Sequence, residues 1–223
     1  DYSAQEAWIA ARISDDRVFL DKLQDPVGIH IRNAMDLFQI RDPKAVSPMQ
    51  KRLAKIFLYG GVLYEGGPET IRSSFEEQGI IIPLAEITVW QSRWKIAHHR
   101  YVRWCYDLIA TASRQRPMAV VTALGRRRNF IGESRNWRRQ AIAHVISGTG
   151  VDHTNYAMVD LDAKGYEIVL HRHDSLVLEV DVEQVGQALI DTKVAFETDR
   201  GFGSLKSEAK QGPSMFGMKA CQD

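Results

Sequence analysis

Residues 166–180 read YEIVLHRHDSLVLEV, two aliphatic runs on either side of the tripeptide His173-Asp174-Ser175. Short runs rich in Val and Leu favour β-strands, and a polar tripeptide between two of them predicts a hairpin turn. Asp is common in turns for local reasons, so Asp174 alone indicates no more than a turn. Neighbouring aliphatic residues such as Val169 and Val177 predict a turn that is buried at its flanks, which favours a functional role for Asp174.

A second carboxylate stands far from Asp174, in the segment Asp1-Tyr2-Ser3-Ala4-Gln5-Glu6. Two carboxylates from distant parts of a chain can hold a pair of hard divalent cations when folding brings them together. We therefore expect Asp1 and Asp174 to lie close to each other in the folded chain.

Between these two acids, residues 47–60 predict a helix with a basic and aromatic face. Ser47-Pro48 is typical of an N-cap followed by a first helical residue. Lys51, Lys55 and Tyr59 follow at every fourth position and share one face of such a helix. Most lysines simply face water, but this spacing suits a triphosphate with a base attached. The three segments together indicate nucleotidyl transfer.

In order and wording, the three segments resemble those of the family A DNA polymerases, the group of bacterial DNA polymerase I. That family has an Asp-Tyr-Ser-x-x-Glu segment, then Arg-x-x-x-Lys-x-x-x-(Phe/Tyr)-Gly, then His-Asp-Glu at the end of a strand. Further matches are Gly28-Ile29-His30, Thr122-Ala123-Leu124-Gly125-Arg126-Arg127, and Arg139 followed by Gly148-Thr149. The resemblance covers residues 1 to about 195 and rests on the ordered set, because each short string is common by itself.

The resemblance implies an α+β chain with a small antiparallel palm sheet and a large helical fingers insertion. The palm would comprise residues 1–25 and 116–200, and the fingers residues 26–115, while the C-terminal segment 201–223 receives no assignment. The apolar pattern agrees, because helices dominate the middle of the chain and strands gather near residue 1, near 120 and near 170 to 180.

Apolar periodicity predicts the individual elements. Helices are expected over 4–13, 29–38, 69–78, 83–113, 136–158 and 182–197, and strands over 118–124, 166–172 and 176–180. A stripe of large residues at steps of three and four predicts core packing rather than a base-stacking platform. Its members are Ile87, Trp90, Trp94, Ala97, Tyr101 and Trp104. His98 and His99 are expected to face solvent.

For the acids, the resemblance implies that Asp1, Asp174 and the backbone carbonyl of Tyr2 bind two Mg²⁺ ions, with Mn²⁺ as the alternative. One ion would activate the primer 3′-hydroxyl and the other would stabilise the leaving pyrophosphate. Mg²⁺ is commonly held by one or two carboxylates plus substrate phosphates, which matches this sparse set. Ser175 stands where the family usually has Glu, so one carboxylate fewer is present.

For the nucleotide, the resemblance implies that Lys55 is catalytic, as a charge stabiliser and proton donor to pyrophosphate. Lys51 replaces a family Arg and would reach the terminal phosphate as a point charge, and His30 would also contact the phosphates. Tyr59 would stack on the incoming base and sugar, and a Tyr here tolerates dideoxynucleotides better than a Phe. Glu6 would block the ribose 2′-hydroxyl, although an exposed helical Glu is the plainer interpretation.

Two departures from the family pattern affect the nucleotide pocket and the readout of DNA. The family has a Tyr three residues after the helix-ending Gly; strict spacing places Leu63 there, and a slip of one residue places Tyr64 there. We favour Tyr64, because an aromatic ring is useful beside the templating base. Ser147 replaces a family Gln, which predicts weaker minor-groove readout.

The densest basic segment is expected to contact DNA phosphates, although such runs are often only solvated surface. It contains Arg126, Arg127, Arg128, Arg135, Arg138 and Arg139, with Glu133 as its acid. The resemblance assigns Arg126, Arg127 and Arg139 to DNA binding, and places His173 at the primer-terminal phosphate.

The composition of the chain indicates its cellular environment. It has 223 residues, a formal net charge of +1 and 2 cysteines far apart in sequence, which predicts a reduced, cytoplasmic environment. No stretch has the length of a membrane span, and the N-terminus is not a signal sequence. Divergence from the bacterial enzymes favours a viral replicative protein, located in the host cytoplasm.

Partners follow from the resemblance: DNA primer-template, dNTPs, and no membrane. In the family, an exonuclease-like region, the thumb and the first part of the palm precede the Asp-Tyr-Ser segment. A missing upstream segment or a second polypeptide is therefore expected to carry them and to support Asp1.

Three functions stay open at this point. The first is template-directed DNA synthesis, with dNTPs transferred to a primer 3′-hydroxyl by two metal ions. The others are a metal-dependent phosphohydrolase and a non-catalytic, polymerase-like DNA-binding subunit. The basic and aromatic face from Lys51 to Tyr59 favours the first, because hydrolysis needs no base-stacking ring.

Overall fold

The computed structural model describes residues 1–131, 136–214 and 218–221, which form a largely helical chain in two compact units. The first unit comprises Asp1–Ile9, Val121–Arg127 and His144–Asp223, and the second comprises Ala10–Val120 and Arg128–Ala143. The α+β class predicted from the sequence is confirmed. The palm and fingers bounds predicted above stay a prediction.

The helices account for most of the described residues. They are α1 Gln5–Ile13, α2 Arg17–Gln24, α3 Ile29–Phe38, α4 Pro48–Gly60, α5 Pro68–Glu76, α6 Leu84–Ala97, α7 His99–Arg114, α8 Trp137–Asp162 and α9 Val185–Glu197. Single 3₁₀ turns lie at Pro43–Ala45, Val62–Tyr64 and Val182–Gln184. Among these described helices, none is both long and apolar enough to cross a bilayer.

The strands are short and pair two by two. They are β1 Met118–Val121 with β2 Arg127–Phe130, β3 Glu167–Arg172 with β4 Ser175–Glu179, and β5 Lys210–Gln211 with β6 Lys219–Ala220. One small sheet was expected from the sequence, whereas the described strands form separate two-stranded ribbons. Tyr2 adds a single antiparallel bridge to Ser207.

Helix α4 begins as its sequence predicts. The Ser47 hydroxyl accepts a hydrogen bond from the Gln50 backbone N–H at 3.2 Å, and the Gln50 side-chain oxygen accepts one from the Ser47 N–H at 2.9 Å. This capping box satisfies two of the N–H groups that a helix start leaves without partners. Phe57 and Leu58 are buried, so the opposite side of α4, with Lys51, faces outward.

The aromatic stripe of α6 and α7 forms core, as predicted. Trp90 meets the rings of Phe38, Phe57 and Phe75 edge-on, at centroid distances of 5.2, 6.3 and 6.4 Å. Tyr101 is fully buried, and Ala97 at the end of α6 is exposed instead of packed. The helical stretch predicted as continuous over 83–113 is interrupted at His98, where α6 ends and α7 starts.

The expectation that His98 faces solvent is wrong, because His98 is fully buried and hydrogen-bonded; His99 is exposed as expected. Lys22 Nζ lies 3.1 Å from His98 Nε2. An ammonium group only donates, so Nε2 accepts and Nδ1 carries the proton, which points to Asp16 Oδ1 at 3.5 Å. Burial lowers the pKa of His98 and keeps this imidazole neutral.

Asp16 holds two helix starts at once. Its Oδ1 accepts from the Phe19 N–H at 2.9 Å and caps α2, and its Oδ2 accepts from the Tyr101 N–H at 3.1 Å in the first turn of α7. The carboxylate is almost fully buried, so these bonds replace the hydration that it loses.

We expect Asp16→Ala to lower the free energy of unfolding by about 3 kcal/mol, because it removes a helix cap and leaves a second buried N–H without an acceptor. Urea denaturation followed by far-UV circular dichroism measures the change.

The matched control for that experiment is Asp107→Ala. Asp107 forms an exposed pair with Arg103 on α7, and such pairs contribute less than about 1 kcal/mol. Equal losses in the two variants would contradict the double-capping role of Asp16.

Candidate active site

Asp1 and Asp174 lie side by side within the first unit. The Tyr2 backbone N–H donates to the Asp174 carbonyl oxygen at 3.3 Å, which joins the Asp1 segment to the tip of the β3–β4 hairpin. The Asp174 side chain is 30% exposed and keeps an open side.

The other side of the Asp1 segment is held by a part of the chain that the sequence analysis left unassigned. The Glu208 N–H donates to the Asp1 carbonyl oxygen at 2.8 Å, and the Ser3 N–H donates to the Lys206 carbonyl oxygen at 3.0 Å. The Asp1 segment is therefore hydrogen-bonded on both sides through its backbone.

The turn that carries Asp174 is tight. Arg172 pairs with Ser175, the Ser175 hydroxyl donates to the Arg172 carbonyl oxygen at 2.9 Å, and His173 adopts a left-handed φ of +56°. His173 Nδ1 lies 3.3 Å from Asp174 Oδ1, so the two residues assigned to the metals and to the primer phosphate are in contact.

The expectation that strands flank this turn with buried residues is wrong for β3. The pairing register shifts between Ile168 and Leu170, and Val169 at this irregularity is 46% exposed. A bulged residue turns away from the ladder, which accounts for its exposure. On β4, Val177 is half-buried.

The donor set fits magnesium better than zinc. Across the ranges that the structure describes, no group of three or more His, Cys, Asp or Glu side chains could hold a metal ion. A structural zinc site needs four protein ligands, whereas Mg²⁺ is bound by one or two carboxylates and keeps its other positions for water and substrate phosphates. Asp1 and Asp174 match the second pattern.

Glu6 is not an ordinary exposed helical residue. It is half-buried in the first turn of α1, and the Ser147 hydroxyl donates to its Oε1 at 2.7 Å. A hydroxyl hydrogen bond to a carboxylate is short and strong, so it restricts where the Glu6 oxygens point. The sequence relates Ser147 only to minor-groove readout of DNA and does not predict its contact with Glu6.

Arg126 is exposed, and its guanidinium forms hydrogen bonds with other residues of the first unit. Its Nε donates to Asp152 Oδ1 at 2.6 Å and its Nη2 to the Gly148 carbonyl oxygen at 3.0 Å. The Thr122 hydroxyl donates to the other Asp152 oxygen at 2.6 Å. A Cβ on Gly148 would lie 3.1 Å from the Arg126 guanidinium, so a glycine suits this close approach. The DNA-binding role of Arg126 stays a prediction.

The rest of the basic segment is partly described. Arg127 is exposed at the start of β2. Arg128 Nη2 donates to Gln140 Oε1 at 3.1 Å, and its guanidinium lies 5.0 Å from the Phe130 ring centroid. Arg135 and Glu133 lie outside the described residues.

In the second unit, α3 and α4 bring the four predicted phosphate- and base-contacting side chains together. The His30 ring meets Tyr59 edge-on at 5.7 Å, and Lys51 and Lys55 are exposed beside it. Burial, and then the charges of Lys55 and Lys51, lower the pKa of His30 to about 4. The face therefore presents two cations and a neutral imidazole at neutral pH.

The choice between Leu63 and Tyr64 has a structural basis. Leu63 is fully buried and its carbonyl oxygen accepts a hydrogen bond from the Tyr101 hydroxyl, so it belongs to the core. Tyr64 lines an open cleft of about 300 Å³ within the second unit. The other lining residues are Asn136, Arg139, Gln140 and Ala143. Arg139 Nε is buried there without a hydrogen-bond partner among the described residues.

The family model described as DNA polymerase family A matches residues 1–202 of the chain. The chain belongs to this family. The family A assignment made from three short segments is thereby confirmed over nine-tenths of the sequence, since the match ends 21 residues before the last of 223.

Curated family A relatives are similar over nearly the whole chain. DNA polymerase I of Bacillus caldotenax is 26% identical over an alignment of 234 residues. The alignment covers 94% of this chain and 26% of that protein. DNA polymerase I of Deinococcus radiodurans is 30% identical over 234 residues, which cover 98% of this chain and 23% of that protein. The chain thus spans about a quarter of the length of the curated relatives it matches.

One solved structure has the same fold. The POL domain of Pol1 from M. smegmatis, in complex with DNA primer-template and dNTP, matches with a TM-score of 0.79 and 22% sequence identity. The match covers 92% of this chain and 37% of that one.

We expect the stability of this chain to fall as pH drops from 6.5 to about 4, in part because of His30. The folded-state pKa is lowered, so the unfolded chain binds the proton first and the contribution of the neutral imidazole is lost across this window. His30→Asn should flatten the slope of unfolding free energy against pH, measured by urea denaturation at several pH values.

His99→Gln is the matched control, because His99 is exposed and should leave the slope at its wild-type value. An unchanged slope in His30→Asn would rule out a neutral, buried His30.

Proposed function

We propose that this chain is the palm and fingers part of a template-directed DNA polymerase, which transfers dNTPs to a primer 3′-hydroxyl by a two-metal mechanism. The observation that carries the proposal is the juxtaposition of Asp1 and Asp174 through the 3.3 Å bond between Tyr2 and Asp174. Membership of DNA polymerase family A supports it.

The two carboxylates and the Tyr2 carbonyl oxygen would hold two Mg²⁺ ions, with Mn²⁺ as the alternative. When bound, the ions supply activation of the primer 3′-hydroxyl and charge stabilisation on the leaving pyrophosphate. The chain's own contribution is to hold the Asp1 and Asp174 oxygens in one place through backbone hydrogen bonds on both sides of the Asp1 segment.

The incoming nucleotide would bind the exposed face of α4. Lys51 and Lys55 would attract the triphosphate, and Lys55 would protonate pyrophosphate as it leaves. His30 is neutral at pH 7, so its ring N–H donates to a phosphate oxygen without adding charge. Tyr59, in edge contact with His30, would stack on the base and sugar.

Sugar selection would rest on Glu6. Its carboxylate, held by Ser147, would meet a ribose 2′-hydroxyl and so favour deoxynucleotides. Tyr64 would lie beside the templating base, in the cleft that Arg139 also lines.

DNA would be bound by Arg127, Arg139 and His173, with Arg126 contributing less because Asp152 neutralises its charge. The chain spans about a quarter of its curated relatives, so we propose that an upstream segment or a second polypeptide carries the thumb and exonuclease-like region. We also propose a viral replicative role in the host cytoplasm.

Asp174→Ala should reduce primer extension on a labelled template by about a thousandfold, since metal-assisted catalysis supplies several kcal/mol and each 1.4 kcal/mol is about tenfold in rate. DNA affinity, measured by fluorescence anisotropy on the complete protein, should stay within about twofold, because one carboxylate contributes little to backbone binding.

The control is Asp181→Ala, an exposed acid just beyond β4, which should extend primers at the wild-type rate. Synthesis retained in Asp174→Ala would reject the site. Release of pyrophosphate from dNTPs without primer or template would instead favour a phosphohydrolase, and binding without either reaction a non-catalytic subunit.

Tyr59→Phe should lower incorporation of dideoxynucleotides relative to deoxynucleotides by about tenfold, the effect of about 1.4 kcal/mol. The phenol hydroxyl offers hydrogen bonding that a substrate without a 3′-hydroxyl lacks, and Phe removes it. Competition between the two nucleotide types in a single primer-extension reaction measures the ratio.

Tyr106→Phe, on an exposed site of α7, is the matched control and should leave the ratio as it is. If Tyr59→Phe behaved in the same way, Tyr59 would not contact the sugar.

A further inference from the structure

The side chain of Tyr2 is anchored by a buried histidine that the proposed mechanism does not use. The Tyr2 hydroxyl lies 2.6 Å from Nδ1 of His153, which is fully buried in α8. Tyr2 and His153 belong to the same compact unit, and their rings meet edge-on at 5.4 Å.

The hydrogen bonds fix the direction of donation. His153 Nε2 lies 3.2 Å from the Thr198 carbonyl oxygen, and a carbonyl oxygen only accepts, so Nε2 carries the proton. Nδ1 of a neutral imidazole then accepts, and the Tyr2 hydroxyl donates to it. Both ring nitrogens are used, which leaves His153 one orientation.

Aromatic rings also pack against Tyr2 and His153. Phe196 in α9 stacks on Tyr2 at 4.6 Å with an interplanar angle of 30°, and Phe202 meets His153 edge-on at 5.5 Å. The Tyr2 side chain is thus held by α8 and α9, and the loop that follows α9 holds His153.

This anchor bears on Asp1 because the two residues are neighbours in extended backbone. Successive side chains in such backbone point to opposite faces, so a Tyr2 ring fixed in the core leaves the Asp1 carboxylate on the outer face. Tyr2 is buried and Asp1 is exposed, as this alternation requires.

We propose that His153 is a positioning residue for the candidate metal site, which holds the Asp1 carboxylate in place through the hydroxyl of Tyr2. The inference rests on the proposed function of Asp1 and Asp174. Residues that orient metal ligands through hydrogen bonds typically change metal affinity 10- to 100-fold when removed.

The test measures Mn²⁺ binding to the complete protein by electron paramagnetic resonance, together with primer extension at varied Mn²⁺. His153→Phe keeps a ring but removes the acceptor, and Tyr2→Phe keeps the ring but removes the donor. Each should weaken Mn²⁺ binding about tenfold. The double variant should bind Mn²⁺ no more weakly than either single variant, because the two substitutions remove the same hydrogen bond.

Two further variants separate positioning from packing. His153→Asn restores an acceptor near the place of Nδ1 although it fills less space, and should bind Mn²⁺ more tightly than His153→Phe. Thr154→Val removes a neighbouring buried hydroxyl that donates to the Gly150 carbonyl oxygen, and should lower stability without changing Mn²⁺ affinity.

This inference would be overturned if His153→Phe and Tyr2→Phe both bound Mn²⁺ with wild-type affinity while Asp174→Ala bound it more weakly. That result would leave the proposed function intact. Affinity that does not respond to Asp174→Ala would overturn the proposed function itself. If His153→Phe does not fold, Tyr2→Phe carries the test, since it changes a single oxygen atom.

Discussion

One backbone hydrogen bond, from Tyr2 to the Asp174 carbonyl oxygen, makes two remote carboxylates neighbours. Closing so long a loop is entropically unfavourable, so this contact needs support from both sides. The support comes from the burial of the Tyr2 ring against Phe196 and from the pairing of residues 206–208 with the Asp1 segment. A site built on long-range contacts thereby acquires the rigidity that metal ligands require.

The proposed nucleotide-binding face of α4 depends on a different kind of constraint, which is local. The capping box at Ser47 sets where α4 begins, and the buried Phe57 sets its rotation. Both leave Lys51, Lys55 and Tyr59 on the outside. Packing against α3 then adds His30, whose burial removes its charge. The result is a lysine-bearing face on which the His30 imidazole is neutral at pH 7.

Local features could be predicted from the sequence, and environments made by distant residues could not. The bounds Ile29–Phe38 and the start of α4 follow from periodicity and capping, and the structure has both. The buried position of His98 could not be predicted, because Asp16 and Lys22, which contact its ring nitrogens, lie far away in sequence. The contact of Glu6 with Ser147 left no sequence signal, since each residue is ordinary in its own helix.

The pairing of Glu208 and Lys206 with the Asp1 segment has a practical consequence for anyone shortening this protein. The family match alone would suggest trimming after residue 202, where it stops. Such a cut would remove the backbone hydrogen bonds that Glu208 makes with Asp1 and that Lys206 makes with Ser3. A protein shortened in this way would therefore lose backbone support for the proposed metal site at Asp1.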